Sequence, residues 1–175
     1  MFAKRVQEEF RVFVAPVAFG DSHKGRWFDV EDSEGWCEAA FEAIRVEAGV
    51  EEVEVIDFDG NLDQAFTQAL NCHSAQDIEE GFALVLEHGA IFLAACKLEG
   101  SIEWAREALD RFVDWAVDER SLAEQILDDS GVLDGVPDIC KLYFDTEAWW
   151  RDAKIESYSV VVFADSWYAF REELG

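Results

Sequence analysis

The sequence predicts an α+β fold made of a small antiparallel sheet domain over residues 1–61, a helical middle domain over 62–100, and a helix-plus-β-hairpin domain over 101–175. Three observations predict it. Runs rich in β-branched and aromatic residues lie near both ends, apolar residues recur at helical spacing between them, and only 2 Pro and 11 Gly leave little room for a flexible linker. Half of the chain is hydrophobic, with 7 Trp and 14 Phe, so it has the material for a packed core.

The elements follow in order. Phe10 to Ala15 is β-branched and aromatic and stops at Pro16, which reads as a first strand. A turn-rich loop, Gly20 to Gly25, leads to a second strand at Trp27–Val30. Ser33 is placed to cap a helix whose Trp36, Cys37, Ala40, Phe41 and Ile44 face inward and whose Glu34, Glu38 and Glu42 face outward. Those three acids, four residues apart, repel one another by a few tenths of a kcal/mol per pair in an isolated helix. Val53–Phe58 alternates as a third strand, and Asp59-Gly60-Asn61 turns the chain. From Leu62 to about Leu98 two or three short helices fit, with Ser74 and Asp77 as a capping box and Gly89 as a break. Ser101 to Val117 reads as one helix, with Ile102, Ala105, Leu109, Phe112 and Val113 inward. Ser121 and Glu124 form a second capping box, for a helix ended by Gly131. Pro137 opens a short helix, Asp145 caps one over Thr146–Ala153, and Tyr158–Phe163 with Trp167–Phe170 forms a hairpin.

The charges are unbalanced, with 39 acids against 14 bases and a net charge of −25. This excludes an ordinary nucleic-acid binder, which needs clustered Lys and Arg, and it disfavours an anionic membrane surface. The longest apolar run, Gly89–Cys96, falls short of the roughly 20 residues of a membrane helix, and no apolar signal core follows the N-terminal bases. The four cysteines form no CxxC pair and sit among apolar or helix-forming neighbours, so they read as buried, reduced thiols in a reducing cytoplasm.

Few motifs carry chemistry. Val55 to Leu62 resembles the first motif of haloacid-dehalogenase-like phosphatases, with Asp57 as nucleophile and Asp59 as general acid. Asn61 stands where that motif needs a hydroxyl, and the flanking chain lacks alternating strands and helices. The alternation of Asp57, Asp59, Asn61 and Asp63 fails as an EF-hand, because Leu62 and Gln68 occupy the positions of the essential Gly and Glu. Cys72-His73 has no second ligand pair for zinc, and the other histidines, His23 and His88, add no ligand spacing.

The acids are spread along the chain: residues 1–60 hold 15 acids and 6 bases, 61–100 hold 6 and 1, and 101–175 hold 18 and 7. Solubility is served by a net charge of about 2 to 8, so −25 points to a functional field. Duplex DNA carries one charge per roughly 1.7 Å of axis, so this net charge matches about 40 Å of duplex. Carboxylates in rows suit a basic DNA-binding groove. The candidate phosphate mimics are Glu31, Asp32, Glu34, Glu38 and Glu42 in the first domain, and Glu103, Glu107, Asp110, Asp114, Asp118, Glu124 and Asp128 later. An acidic inhibitor of some other basic protein, such as a nucleoid or repressor protein, fits the same charge.

An ordered set of motifs supplies a resemblance. Gly25-Arg26-Trp27-Phe28-Asp29, Asp57-Phe58-Asp59-Gly60, Glu87-His88-Gly89 with Ile91-Phe92-Leu93, Ala108 to Phe112, Ser121 to Glu124, Val136-Pro137, Tyr143 to Asp152 and the closing Phe170-Arg171 resemble the ArdA family of antirestriction proteins. Phe19 to Lys24 and Trp115 to Asp118 depart from the family's usual pattern. The resemblance implies an elongated three-domain homodimer that mimics bent B-form DNA. It would fill the DNA groove in the specificity and methyltransferase parts of type I restriction-modification enzymes, with no catalysis and no cofactor, and the residue spacings above offer no metal site. It implies dimer contacts in the C-terminal domain, for which Trp149, Trp150, Phe163 and Trp167 are candidates; the core of their own chain is the other place for these side chains.

Overall fold

A computed structural model describes residues 10–17, 24–31, 33–60, 62 and 64–172. The fold is α+β, with two three-stranded antiparallel sheets and eight helices among the described residues. Strands β1 (Arg11–Pro16), β2 (Arg26–Asp29) and β3 (Val53–Asp59) form the first sheet in the order β2-β1-β3. Val12, Val14, Val53 and Val55 turn to one face and are buried against Cys37, Phe41 and Ile44 of helix α1 (Trp36–Ala48). Phe13 pairs with Asp57 and Val14 with Val55, so Ile56 is the extra residue of a bulge and faces solvent. Gly25 sits so close to β1 that a Cβ would meet Phe13 Cε1 at 2.6 Å and Val14 O at 2.7 Å, which explains the glycine before the Arg-Trp-Phe-Asp strand.

Three helices follow: α2 (Gln64–Ala69), α3 (Ala75–His88) and α4 (Ala90–Glu99). Ser74 caps α3, accepting from the Asp77 N–H at 3.2 Å, and Gly89 with φ 58° turns the chain between α3 and α4. The apolar run of Gly89–Cys96 is accounted for by burial. Phe92 to Cys96 are all buried, because α4 packs against α2, α3, helix α5 (Ile102–Asp110) and strand β5 (Tyr158–Phe163). Phe66, Phe82 and Phe92 stack edge to face in this region, at centroid distances of 5.4 and 6.4 Å.

The second sheet corrects the sequence reading. The helix expected over Ser101–Val117 stops at Asp110, and Phe112–Ala116 is a strand, β4. Its partner is β6 (Ser166–Arg171), which stands between β4 and β5, so the expected hairpin is two strands of a three-stranded sheet. The Arg171 N–H donates to Arg111 O at 2.8 Å where β4 begins. Helix α6 (Glu119–Ser130), a short α7 (Asp138–Lys141) and α8 (Thr146–Glu156) lie between β4 and β5 in sequence. One face of the sheet, with Val161, Phe163, Tyr168 and Phe170, joins the main core. The other, with Ala116 and Ala169, packs on Leu122, Ala123 and Ile126 of α6 and Trp150 of α8. The main core is continuous from the first sheet through the helices to β6.

Caps complete the elements. Asp145 caps α8, accepting from Ala148 N–H at 2.9 Å, as expected. The cap of α6 is Asp118 rather than Ser121, and the helix starts two residues before that serine. Ser33 does not cap α1. Glu79 of α3 does so from outside, its carboxylate accepting from the N–H groups of Gly35 (3.0 Å) and Cys37 (2.7 Å). Among the described residues no helix is long and apolar enough to cross a membrane.

Candidate functional site

Amphipathic packing places the carboxylates. Every helix but α7 buries apolar residues, so acids between apolar positions are carried to the outside, and no charged side chain among the described residues is buried. In the first segment Glu31, Glu34, Glu38 and Glu42 are exposed, while Asp32 lies outside the described residues. Glu34 precedes α1, so only Glu38 and Glu42 share the helix surface. Arg45 relieves their repulsion: its Nη1 stands 2.7 Å from Glu38 and 3.7 Å from Glu42, and the Glu38 hydrogen bond raises the guanidinium's already high pKa. Ser33 donates to Glu31 at 3.2 Å.

In the later segment Glu103, Glu107 and Asp110 are exposed on α5. Its inner face is Ile102, Ala105 and Ala108. Asp114 stands on strand β4 rather than on the helix expected there, half-buried, with its carboxylate accepting from Trp115 N–H at 2.8 Å. Asp118 is exposed but engaged, and hydrogen bonds from the Ser121 N–H and hydroxyl hold its carboxyl below the usual range. Glu124 accepts from Arg120 Nε at 2.9 Å, and Asp128 is exposed on the last turns of α6. Glu34, Glu103, Glu107, Asp110, Asp114 and Asp128 have no ion-pair partner among the described residues. The row on α5, with Glu34 and Asp128 apart from it, thus remains open to an external cation.

The enzymatic alternative finds no such support. Asp57 is exposed on β3, an edge strand of an antiparallel sheet, and accepts from Phe58 N–H at 2.8 Å. Asp59 is paired with Arg11. A phosphatase of that type needs its aspartates at the end of a strand inside a parallel sheet. Asn61, Asp63 and His23 lie outside the described residues, and among the described ones no group of three or more His, Cys, Asp or Glu is arranged to hold a metal ion. Cys37 and Cys96 are buried, and Cys72 is half-buried. Burial, with Glu79 and Glu38 nearby, pushes the Cys37 thiol up to about 12. Cys140 departs from the expectation of burial: it lies on α7, which has no buried residue.

The candidate contact residues of the C-terminal segment divide. Trp150 is 4% exposed and Phe163 8%, both within the chain's own packing; Trp149 and Trp167 are half-buried at the rim of the second cluster. Trp150 Nε1 donates to Glu119 at 3.2 Å, and Lys154 pairs with the same carboxylate. Side chains not singled out by sequence are far more open: on and after α7, Leu142 is 79% and Tyr143 84% exposed, beside the exposed Ile139. On α5, Trp104 is 53% exposed. The Pro137 and Asp145 signals that frame α7 are visible in the sequence, but α7 is too short to show an apolar stripe.

A protein-family model described as "Antirestriction protein (ArdA)" matches residues 20–166. No curated protein matches the chain. The matched span takes in β2 to β5, all eight helices and every candidate carboxylate, and leaves out β1 and all but the first residue of β6; the chain belongs to the ArdA family of antirestriction proteins.

Proposed function

We propose that the protein inhibits type I restriction-modification enzymes by standing in for DNA, its carboxylates taking the place of phosphates in the basic groove of the specificity and methyltransferase subunits. The family is one of antirestriction proteins, which interact with restriction-modification enzymes. The observation that carries the finer reading is the fate of the acids: among the described residues none is buried, and Glu103, Glu107 and Asp110 of the α5 row have no ion-pair partner. A net charge of −25 costs stability through self-repulsion, and a partner that supplies cations removes that cost on binding. Binding releases counterions from the partner's groove, the entropy source that drives DNA into the same place. The protein then works by occupancy, without turnover and without a cofactor. The division into segments 1–61, 62–100 and 101–175, set end to end, is part of this reading, as it gives the acids a length to follow.

The experiment is displacement. Purified protein is titrated into a complex of labelled duplex DNA with a type I methyltransferase, and in parallel into a complex of DNA with an unrelated basic protein. Displacement from the first at concentrations well below those needed for the second is the expected outcome. Equal displacement from both identifies a generic polyanion and contradicts shaped mimicry.

We also propose a homodimer joined through the C-terminal segment. The exposed Leu142 and Tyr143, with Trp149 at the rim of the second core, support this site, because large apolar side chains open to water mark interaction surfaces. Light scattering on the wild type should give twice the 19.9 kDa chain mass, and Leu142→Glu with Tyr143→Glu should halve it. A wild-type mass of one chain would rule the dimer out.

A further inference from the structure

Trp104 is the most exposed of the seven tryptophans, at 53%. The other open ones are occupied by their own chain. Trp27 meets Phe13 edge-on at 5.3 Å with the Arg11 guanidinium 5.5 Å from its ring, and Trp115 stacks on Tyr168 at 6.2 Å. Trp104 has no aromatic or cationic side chain on its ring among the described residues, and the core face of α5 is filled without it by Ile102, Ala105 and Ala108. It stands between Glu103 and, one turn on, Glu107, both exposed. The nearby cation Arg106 is held instead by Glu80 at 2.5 Å.

An indole face open to water and bordered by uncompensated carboxylates is built for a cation. The carboxylates draw a lysine or arginine in through space, and tryptophan offers the strongest ring quadrupole to seat it. The same residue type leads among the few that carry most of the affinity in protein interfaces. We propose that Trp104 is the anchor of the inhibitor's contact, seating a lysine or arginine of the partner's basic DNA groove on its indole face while Glu103 and Glu107 meet neighbouring cations. This rests on the mimicry proposed above and adds to it a contact that DNA phosphates do not make. Carboxylate contacts weaken steeply with salt, whereas the indole contact, short-range and partly apolar, persists.

The test is competition with labelled duplex DNA for a type I methyltransferase, at four salt concentrations, by the wild type, Trp104→Ala and Trp104→Phe. Trp104→Ala should bind about three- to tenfold more weakly at every salt, with the slope of log affinity against log salt unchanged. Trp104→Phe should recover part of the loss, since phenylalanine keeps a weaker ring face. Matching circular dichroism and melting curves establish that the exposed substitutions leave the fold intact; Trp104→Gln, which keeps a good helix former, takes the place of the alanine variant if that one melts early. Equal affinity of Trp104→Ala and wild type overturns the assignment while leaving mimicry standing. A change of slope would show that Trp104 acts through the charges and overturns it too. A lowered oligomeric mass of Trp104→Ala would place the indole in a self-contact, again against the proposal. No displacement by the wild type overturns both readings.

Discussion

Glu79 holds two helices together with one carboxylate. The start of α1 has a left-handed Gly35 and no side-chain cap of its own, and its open N–H groups are met by Glu79 reaching across from α3. An acceptor at that end also suits the positive end of the helix dipole. Glu79→Ala should therefore lower stability by about 1–2 kcal/mol, the usual cost of a lost cap, read by chemical denaturation. An unchanged midpoint would mean that water replaces the carboxylate without loss. Caps show how legible single residues are. Ser74 and Asp145 signal from within three residues of the bond they make, and both were readable. Glu79 lies 42 positions from Cys37, and no local pattern points to it. Ser33 was the nearer and better-shaped candidate, yet its hydroxyl goes to Glu31.

At the scale of elements, the acidic face of α5 is the feature most open to test. Glu103, Glu107 and Asp110 share one exposed helix surface, and periodicity alone located them because the inner residues recur at the same spacing. Charge spread over many weak contacts predicts that one Glu→Gln change costs less than about threefold in affinity, whereas converting all three to Lys weakens inhibition strongly and flattens its salt dependence. Loss of inhibition from a single conservative change would contradict distributed contacts. Strand β4 was less legible. Its apolar residues also fit a continued helix, and what makes them a strand is β6, whose Phe170 pairs with Phe112 some 58 positions later. Asp114 consequently moves from a helix face to a sheet edge, half-buried, a less open position than the carboxylates of α5. The hairpin that supplies β6 was readable from its two runs of β-branched and aromatic residues. Ala164 and Asp165 both adopt positive φ, the two-residue connection that right-twisted strands favour.

At the scale of the whole molecule, acids are everywhere but their roles differ. Some close the structure: Glu79 caps a helix, Asp118 caps another, and Glu99 meets the Arg111 guanidinium at 2.5 Å. Others, on α5 and at the end of α6, face outward with no ion-pair partner among the described residues. Composition gave their sum and sequence order their even spread, but only the packing separates the structural acids from those left for a partner. The family match agrees in span with that separation, since residues 20–166 contain both kinds. The central claim is that the outward acids replace phosphates in a DNA-binding groove. The measurement that tests it most directly is the salt dependence of the protein's affinity for a type I methyltransferase, compared with that of duplex DNA for the same enzyme. The account predicts a steep linear fall of log affinity with log salt for both, and mutual exclusion of the two ligands. An affinity indifferent to salt, or a ternary complex holding protein and DNA together, would contradict it.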